Sequence, residues 1–497
     1  MKNVCIWVFY FAASAGVAFS QAPEPSDVRS DAADTTAVKA TTAASSPPQH
    51  GFVMRLFHAY SADWKGPASS DSNPPFRGFA SPETDPPFPF SDWPYGGAVD
   101  LGKPWTQSSP LMQAIWSGRH GEAWKNSGVQ IYGWMNVGFN VSTSNRSGYA
   151  NLPTAYAERP NTIEADQQIL YIERQPDTVQ ADHFDWGFRV ANLYGIDYRF
   201  TTAKGIFSDQ LLVHNREYGY DPVMAYVDLY FPHIAQGVDV RIGRYISLPD
   251  IEAQLAPNNY TYTHSLLYTY DCYTQTGINT TTKLTQRWML QVGISAGCEA
   301  APWTHPDAKP TLNACASYTW NDGNDNVYPC LNALNDGKYA YNNLNAIYFT
   351  WFHKFSTHPR WHTGTEYWYM WEKQVPNVLN PAAQGLLETN ANGAVCNSAA
   401  LLTCFAPENA VVNYLEKQFS PKDYLSIRNE IMDDQRGQRT GFRTNYTEHT
   451  IGWGHWVGTT ILFRPEVRFE RSYSVPAYDN GTKKNQLMAA GDVIFFF

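Results

Sequence analysis

Past its first twenty residues the chain has no run approaching the ~18 consecutive apolar residues that mark a membrane-crossing helix, so a helical membrane protein is excluded. Charge is scarce too. Asp, Glu, Lys and Arg make up 16% of the 497 residues, against about 25% in an ordinary soluble domain. There is no basic excess, and a net charge of −10 argues against nucleic acid as a partner. No two cysteines have the CxxC spacing of a zinc or redox site. Finally, no charged tail follows the last residues, Gly491-Asp492-Val493-Ile494-Phe495-Phe496-Phe497.

What is present points one way. Aromatics reach 15% while the mean hydropathy stays negative. A transmembrane β-barrel needs that pairing, with Tyr and Trp in its interfacial girdles and polar residues facing the lumen. Stepping back by two from Phe497, the residues Phe495, Val493, Gly491, Ala489 and Leu487 form a small or apolar row, with Asp492 on the other face. Such a strand closes a barrel with its apolar side toward lipid. Val493, Phe495 and Phe497 are then expected to form the signal recognised by the barrel assembly machinery. At the other end, Val4–Phe19 is apolar and Ala18 and Ser20 are small, as in a signal peptide cleaved before Gln21.

The expected organisation is a signal peptide at 1–20, a flexible Ala/Ser/Thr/Pro leader at 21–50, a proline-rich pre-barrel segment at 51–127 and the barrel at 128–497. Within the pre-barrel segment Phe52, Leu56 and Tyr60 recur every four residues, predicting a short helix. Ser109-Pro110 predicts the start of a second helix running to Trp116. Residues 67–94 are too rich in proline for either regular structure. Whether this segment is periplasmic or plug-like is left open.

From about Gly128 the hydrophobic period becomes two. Strands are expected near 128–142, 164–175, 183–200, 223–232, 237–247, 272–283, 287–298, 342–355, 360–373, 411–419, 422–432, 440–451, 456–471 and 485–497. That is an all-β, antiparallel up-and-down barrel of about 14 strands, with 16 as the alternative. Short connections alternate with long ones at 201–222, 248–271, 299–341 and 374–410. Helix-like pieces at Ser208–Glu217 and Ser265–Tyr270 suggest that one long loop folds inward and narrows the pore.

Removing Cys5 with the signal leaves six cysteines, and an even number in an exported chain favours three disulfides. Cys272 and Cys298 are placed to face each other across one hairpin, while Cys315 with Cys330 and Cys396 with Cys404 would staple the two longest outer loops. Charges gather on the polar rows. Arg189, Arg199, Arg241, Arg428, Glu430, Arg464, Glu466, Arg468 and Glu470 are expected either to line an aqueous channel and select solutes by their field, or to pair across strands and stabilise the interior.

Enzyme-like strings are unconvincing. Gly293-Ile294-Ser295-Ala296-Gly297 fits the GxSxG pattern but ends a strand, without the following helix that would present the serine. His353, His358 and His362, and His449 with His455, lack metalloprotease spacing. The acidic and amide run Asn321–Asn326 departs from an EF-hand and suits a polar outer-loop turn.

Four stretches carry a family resemblance. Phe184–Val190 (FDWGFRV), Leu248–Gln254 (LPDIEAQ), Ile461–Glu470 (ILFRPEVRFE) and Asp479–Gln486 (DNGTKKNQ) resemble the OmpL-like β-barrel porin family, over about Ile131–Phe497. The resemblance implies a porin of the bacterial outer membrane, with no catalytic residues and no cofactor. The expected function is passive diffusion of small hydrophilic solutes. A closed barrel acting as adhesin or anchor, and a barrel hydrolase, are the alternatives. Outer-membrane lipid is the expected surround, and a homotrimer follows by analogy with porins.

Overall fold

Burial alternates residue by residue along the strands, and this builds the wall. In Ile461–Ser472 the residues Leu462, Arg464, Glu466, Arg468, Glu470 and Ser472 are buried, while Val467, Phe469 and Arg471 are exposed. A pleated strand points successive side chains to opposite faces, so one row lies inside the barrel and the other outside it. The computed structural model describes residues 51–65, 101, 109–303, 309–339, 343–358, 360–387 and 392–497. The expected signal peptide, the leader and the proline-rich stretch at 67–94 lie outside the described residues.

The first eight strands are β1 (Val129–Ser142), β2 (Ile163–Arg174), β3 (Asp185–Gly195), β4 (Gly219–Phe231), β5 (Val238–Ile246), β6 (Thr274–Lys283), β7 (Trp288–Ser295) and β8 (Thr311–Trp320). The other eight are β9 (Asp325–Leu334), β10 (Asn345–Lys354), β11 (Trp361–Pro376), β12 (Thr403–Gln418), β13 (Asp423–Asp434), β14 (Thr444–Val457), β15 (Ile461–Ser472) and β16 (Asn485–Phe496). Each pairs antiparallel with the next, and β16 returns to β1 to close the barrel. The seam runs in register from Trp134 opposite Phe496 to Ser142 opposite Met488. Phe497 donates its N–H to Gly133 O at 2.9 Å.

The strand count is therefore sixteen, the alternative to the fourteen first expected. The stretch 299–341, expected to be one long outer loop, contains β8 and β9. The Asn321–Asn326 run supplies their connecting turn, so it lies at the short-turn end and not in an outer loop. Cys315 and Cys330 face each other across this hairpin, with Cα atoms 4.1 Å apart, and their disulfide is in the wall. Cys272–Cys298 joins the segment just before β6 to the segment just after β7, and Cys396–Cys404 closes the end of the β11–β12 loop.

Two strand limits also moved. The expected strand 183–200 stops at Gly195, and Arg199 sits on a one-turn helix, Tyr198–Thr201, in the β3–β4 loop. Residues 452–455, expected to separate two strands, belong to β14. Its glycines make room inside the barrel: a Cβ on Gly454 would come within 2.1 Å of the Tyr424 ring. The turn itself lies at Gly458-Thr459-Thr460.

Among the described residues three helices precede the barrel: α1 (Phe52–Lys65), α2 (Pro110–Trp116) and α3 (Gly121–Ser127). Ser109 caps α2 by accepting the Met112 N–H at 3.1 Å, and Pro110 costs nothing at the first position because that N–H has no helical partner. Gly128, in the left-handed conformation at φ 68°, ends α3 and starts β1.

Candidate functional site: a loop held inside the lumen

The connection between β5 and β6 contains neither Gly, Lys nor Arg from Leu248 to Asp271. Every residue from 247 to 269 is buried. A surface loop of this length leaves many residues in water, so this one lies inside the barrel. Having almost no ladder partners of its own, it must find hydrogen bonds for its backbone elsewhere.

The inward rows of β13 and β15 provide them. Arg464 donates through Nη1 to Ala256 O (2.7 Å) and Asn259 O (2.6 Å), while its Nε and Nη2 hold the Asp492 carboxylate at 3.0 and 2.6 Å. Arg428 donates to Thr261 Oγ1 (2.9 Å) and Thr263 O, and pairs with Glu448 at 3.0 Å. Arg468 donates to Thr263 Oγ1 (3.1 Å) and His264 O, and pairs with Glu470 at 2.7 Å. The carboxylates take the loop's N–H groups. Glu466 accepts from Tyr262 N (2.9 Å), and Glu430 accepts from Leu266 N (2.7 Å) and Leu267 N.

The loop also organises itself. A one-turn helix, Leu266–Thr269, is capped by Ser265, and Glu252 accepts the Ser265 N–H at 3.0 Å beside His264 Nδ1, also at 3.0 Å. Burial alone would raise the Glu252 carboxyl. The His264 bond and the charge of Arg428 outweigh it and hold the group down to about 2. From β2, three strands from β15 around the wall, Gln167 brackets the loop, donating to Gln254 O and accepting from Ala256 N, both at 2.9 Å, and from β9 Tyr328 donates to Leu248 O at 3.2 Å. The Tyr260 ring packs tilted against Tyr414 and edge-on against Tyr424, and its hydroxyl lies 3.0 Å from His362 Nε2.

Of the nine charged residues expected to face the channel, eight project inward from the strands. Five of them, Arg428, Glu430, Arg464, Glu466 and Arg468, bond the loop directly. Glu470 accepts from Thr154 Oγ1 at 2.6 Å in the β1–β2 loop. Arg189 and Arg241 stand on the β3–β5 side, paired with Glu173 (2.6 Å) and Asp228 (2.8 Å) and stacked on Tyr226. Arg199 is the one off the wall: it lies over the Tyr149 ring at 4.7 Å and pairs with Glu158 at 3.4 Å.

Above the loop, at the long-loop end, is a cavity of about 570 Å³ to which all eight long connections contribute, among them Tyr149, Arg199, Tyr270, Glu299, Tyr339 and Arg439. Sequence reasoning missed Arg439, which donates to Tyr270 O at 3.0 and 2.7 Å and so holds the return of the inward loop. It also missed Asp492 as partner of Arg464. The signal available for Asp492 was its place on the polar row of the last strand. The Cys272–Cys298 disulfide ties the neck of the inward loop to the next long connection beside this cavity.

Residues 128–497 match the family model described as "Putative beta-barrel porin-2, OmpL-like". The chain belongs to that family. Comparison with curated proteins gives no match. Among solved structures it is similar to an anion-selective porin from Comamonas acidovorans, at 9% identity over 74% of this chain and 99% of the other, with a TM-score of 0.47. It is also similar to the outer membrane channel DcaP of Acinetobacter baumannii, at 10% identity over 74% and 97%, with a TM-score of 0.47. A third is OmpT, an outer membrane protein of Vibrio cholerae, at 10% identity over 74% and 99%, with a TM-score of 0.42.

In this porin-family barrel the enzyme-like strings have other roles. Ser295 is buried in the wall, its hydroxyl 2.8 Å from Thr311 Oγ1 and accepting from Asn313 Nδ2 at 3.2 Å. His353 and His455 each pair with one aspartate, Asp325 and Asp423, at 2.7 Å.

Arg464→Ala would strip two bonds from the loop and leave Asp492 buried without its cation. Breaking one side of a buried pair costs about 3–5 kcal/mol. The unfolding midpoint of the purified barrel, followed by its heat-modifiable gel mobility, should fall accordingly. An unchanged midpoint would show that Arg464 does not bear on the loop.

Proposed function

We propose that this protein is a passive outer-membrane channel for small hydrophilic solutes, in which the β5–β6 loop sets the cross-section and the cavity above it is the entrance. Short turns are the periplasmic side of such barrels and long loops the outer side. The observation that carries the reading is the loop's position: a backbone bonded to inward side chains of β2, β9, β13 and β15 divides a wide barrel into narrower space. The chemistry around it is polar and ionised on the β13–β15 side, which suits solutes that keep their hydration.

Single-channel recording in planar bilayers tests this. The intact chain should give discrete conductance steps, and a chain in which 251–268 is replaced by a short Gly/Ser link should give steps several-fold larger. Protein that inserts and gives no steps in either form would instead support a closed barrel acting as an anchor or adhesin.

The entrance should also respond to pH. Burial pushes the Glu299 carboxyl up to about 7, against the opposing pull of Arg439. A carboxyl with a raised pKa is neutral below that value and charged above it, so the entrance gains negative charge as pH rises through 7. Cation over anion permeability, read from reversal potentials in a salt gradient, should increase between pH 6 and 8. Glu299→Gln should flatten the change, and an identical profile in the variant would remove Glu299 from the selectivity of the entrance.

A further inference from the structure

Helix α1 is fixed to the barrel along one edge. Asp63 accepts the Thr459 N–H at 2.9 Å and the hydroxyls of Thr459 and Thr460 at 2.7 and 2.9 Å, clamping the β14–β15 turn. Trp64 Nε1 donates to Thr460 Oγ1 at 2.9 Å, and Tyr60 Oη donates to Phe496 O at 3.0 Å. Near its start, Arg55 Nε donates to Ala114 O of α2 at 3.0 Å. These bonds place α1 at the short-turn rim, beside the seam where β15, β16 and β1 meet.

Its apolar side is not used up by these contacts. Val53, Phe57, Tyr60 and Trp64 fall at i, i+4, i+7 and i+11, a single stripe of the helix. Val53 is 78% exposed, Phe57 63% and Trp64 46%. Nothing among the described residues covers them, whereas Ser61, Ala62 and Lys65 occupy other faces. Tyr60 connects the stripe to the wall: its ring stacks on Phe495 with centroids 5.3 Å apart and planes 21° apart. Phe495 belongs to the outward row of β16, with Leu487 and Val493.

We infer that α1 is an interfacial helix whose Val53, Phe57, Tyr60 and Trp64 stripe inserts into the phospholipid leaflet at the short-turn end, extending the barrel's lipid-facing wall beyond the seam. The stripe is continuous with a surface that faces lipid, and an isolated apolar ridge of this kind in water is a liability. Amphipathic helices in the interface bury their apolar side among the acyl chains and keep the polar side in the headgroups. Tyr60 and Trp64 suit that depth, since each keeps its polar atom bonded and its ring apolar. The inference rests on the placement of the barrel in a membrane and is independent of whether the lumen conducts.

Site-specific quenching tests it. The six cysteines from Cys272 to Cys404 are disulfide-bonded, so the full chain carrying Cys5→Ser can take one new thiol each in Val53→Cys, Phe57→Cys and Ala62→Cys. Each variant, confirmed as folded by heat-modifiable mobility, is labelled with a nitrobenzoxadiazole dye and reconstituted in phosphatidylethanolamine/phosphatidylglycerol vesicles. Lipid carrying a nitroxide on the upper acyl chain should quench positions 53 and 57 at least about three-fold more than position 62. Aqueous iodide should show the reverse order. Equal iodide quenching at all three positions would overturn the inference. So would protection of 53 and 57 that disappears at one chain per vesicle, which indicates a second copy, or protection that requires residues 66–100.

Discussion

A guanidinium sealed inside a protein has to be bonded on nearly every side. Moving it out of water costs several kcal/mol after relaxation, and the loss is offset only when counter-charge and acceptors are both in place. An irregular loop inside a barrel has the complementary problem, a row of carbonyls and N–H groups without a ladder. In this molecule each solves the other. Arg464 turns one edge toward Asp492 and the other toward two loop carbonyls. Arg428 and Arg468 repeat the arrangement with Glu448 and Glu470, and Glu430 and Glu466 take the loop's N–H groups. The loop is held in the lumen by ionised strand residues, and those residues are tolerated there because the loop is present.

Other features follow from that constraint. The strands that hold the loop must keep a polar inner row, and a period of two then leaves an apolar outer row for lipid. Tyr424 and Thr261 need space where β14 passes, which Gly454 and Gly452 leave open. The neck of the loop is fixed covalently by Cys272–Cys298 and non-covalently by Arg439, so the loop's return lines the cavity at the long-loop end. The charges on the β2–β5 side are matched across neighbouring strands, Arg189 with Glu173 and Arg241 with Asp228.

Much of this was legible in the sequence. The alternation in Ile461–Glu470 showed which charges face inward, and the row ending at Phe495 showed that the last strand closes a barrel. The hairpin β8–β9 was not legible, because Cys315, Tyr328 and Cys330 stand on its inner row while Ala314, Ala316 and Pro329 interrupt an outer row of Leu312, Tyr318, Trp320, Val327 and Leu331, which leaves little apolar contrast to reveal a period of two. The break expected between 451 and 456 is absent because Gly452 and Gly454 lie on the inner row of β14, where their missing side chains leave room for Thr261 and Tyr424. The inward loop was suggested by its length and helix-like end, but its partners were not, since residues some 200 positions apart meet only once the barrel has closed. The lack of any Lys or Arg across Leu248–Asp271, against arginines on the facing strands, is the pattern that would have paired them.

The β5–β6 loop reaches into the lumen and lies against β14. Thr261 Cγ2 stands 3.2 Å from the position a Cβ would take on Gly452, so the double variant Thr261→Cys/Gly452→Cys measures the contact directly. Intact-mass analysis of the folded barrel after mild oxidation, with alkylation in denaturant, should show a fourth disulfide and no alkylated thiol. Two alkylated cysteines in a folded barrel would place the loop away from β14.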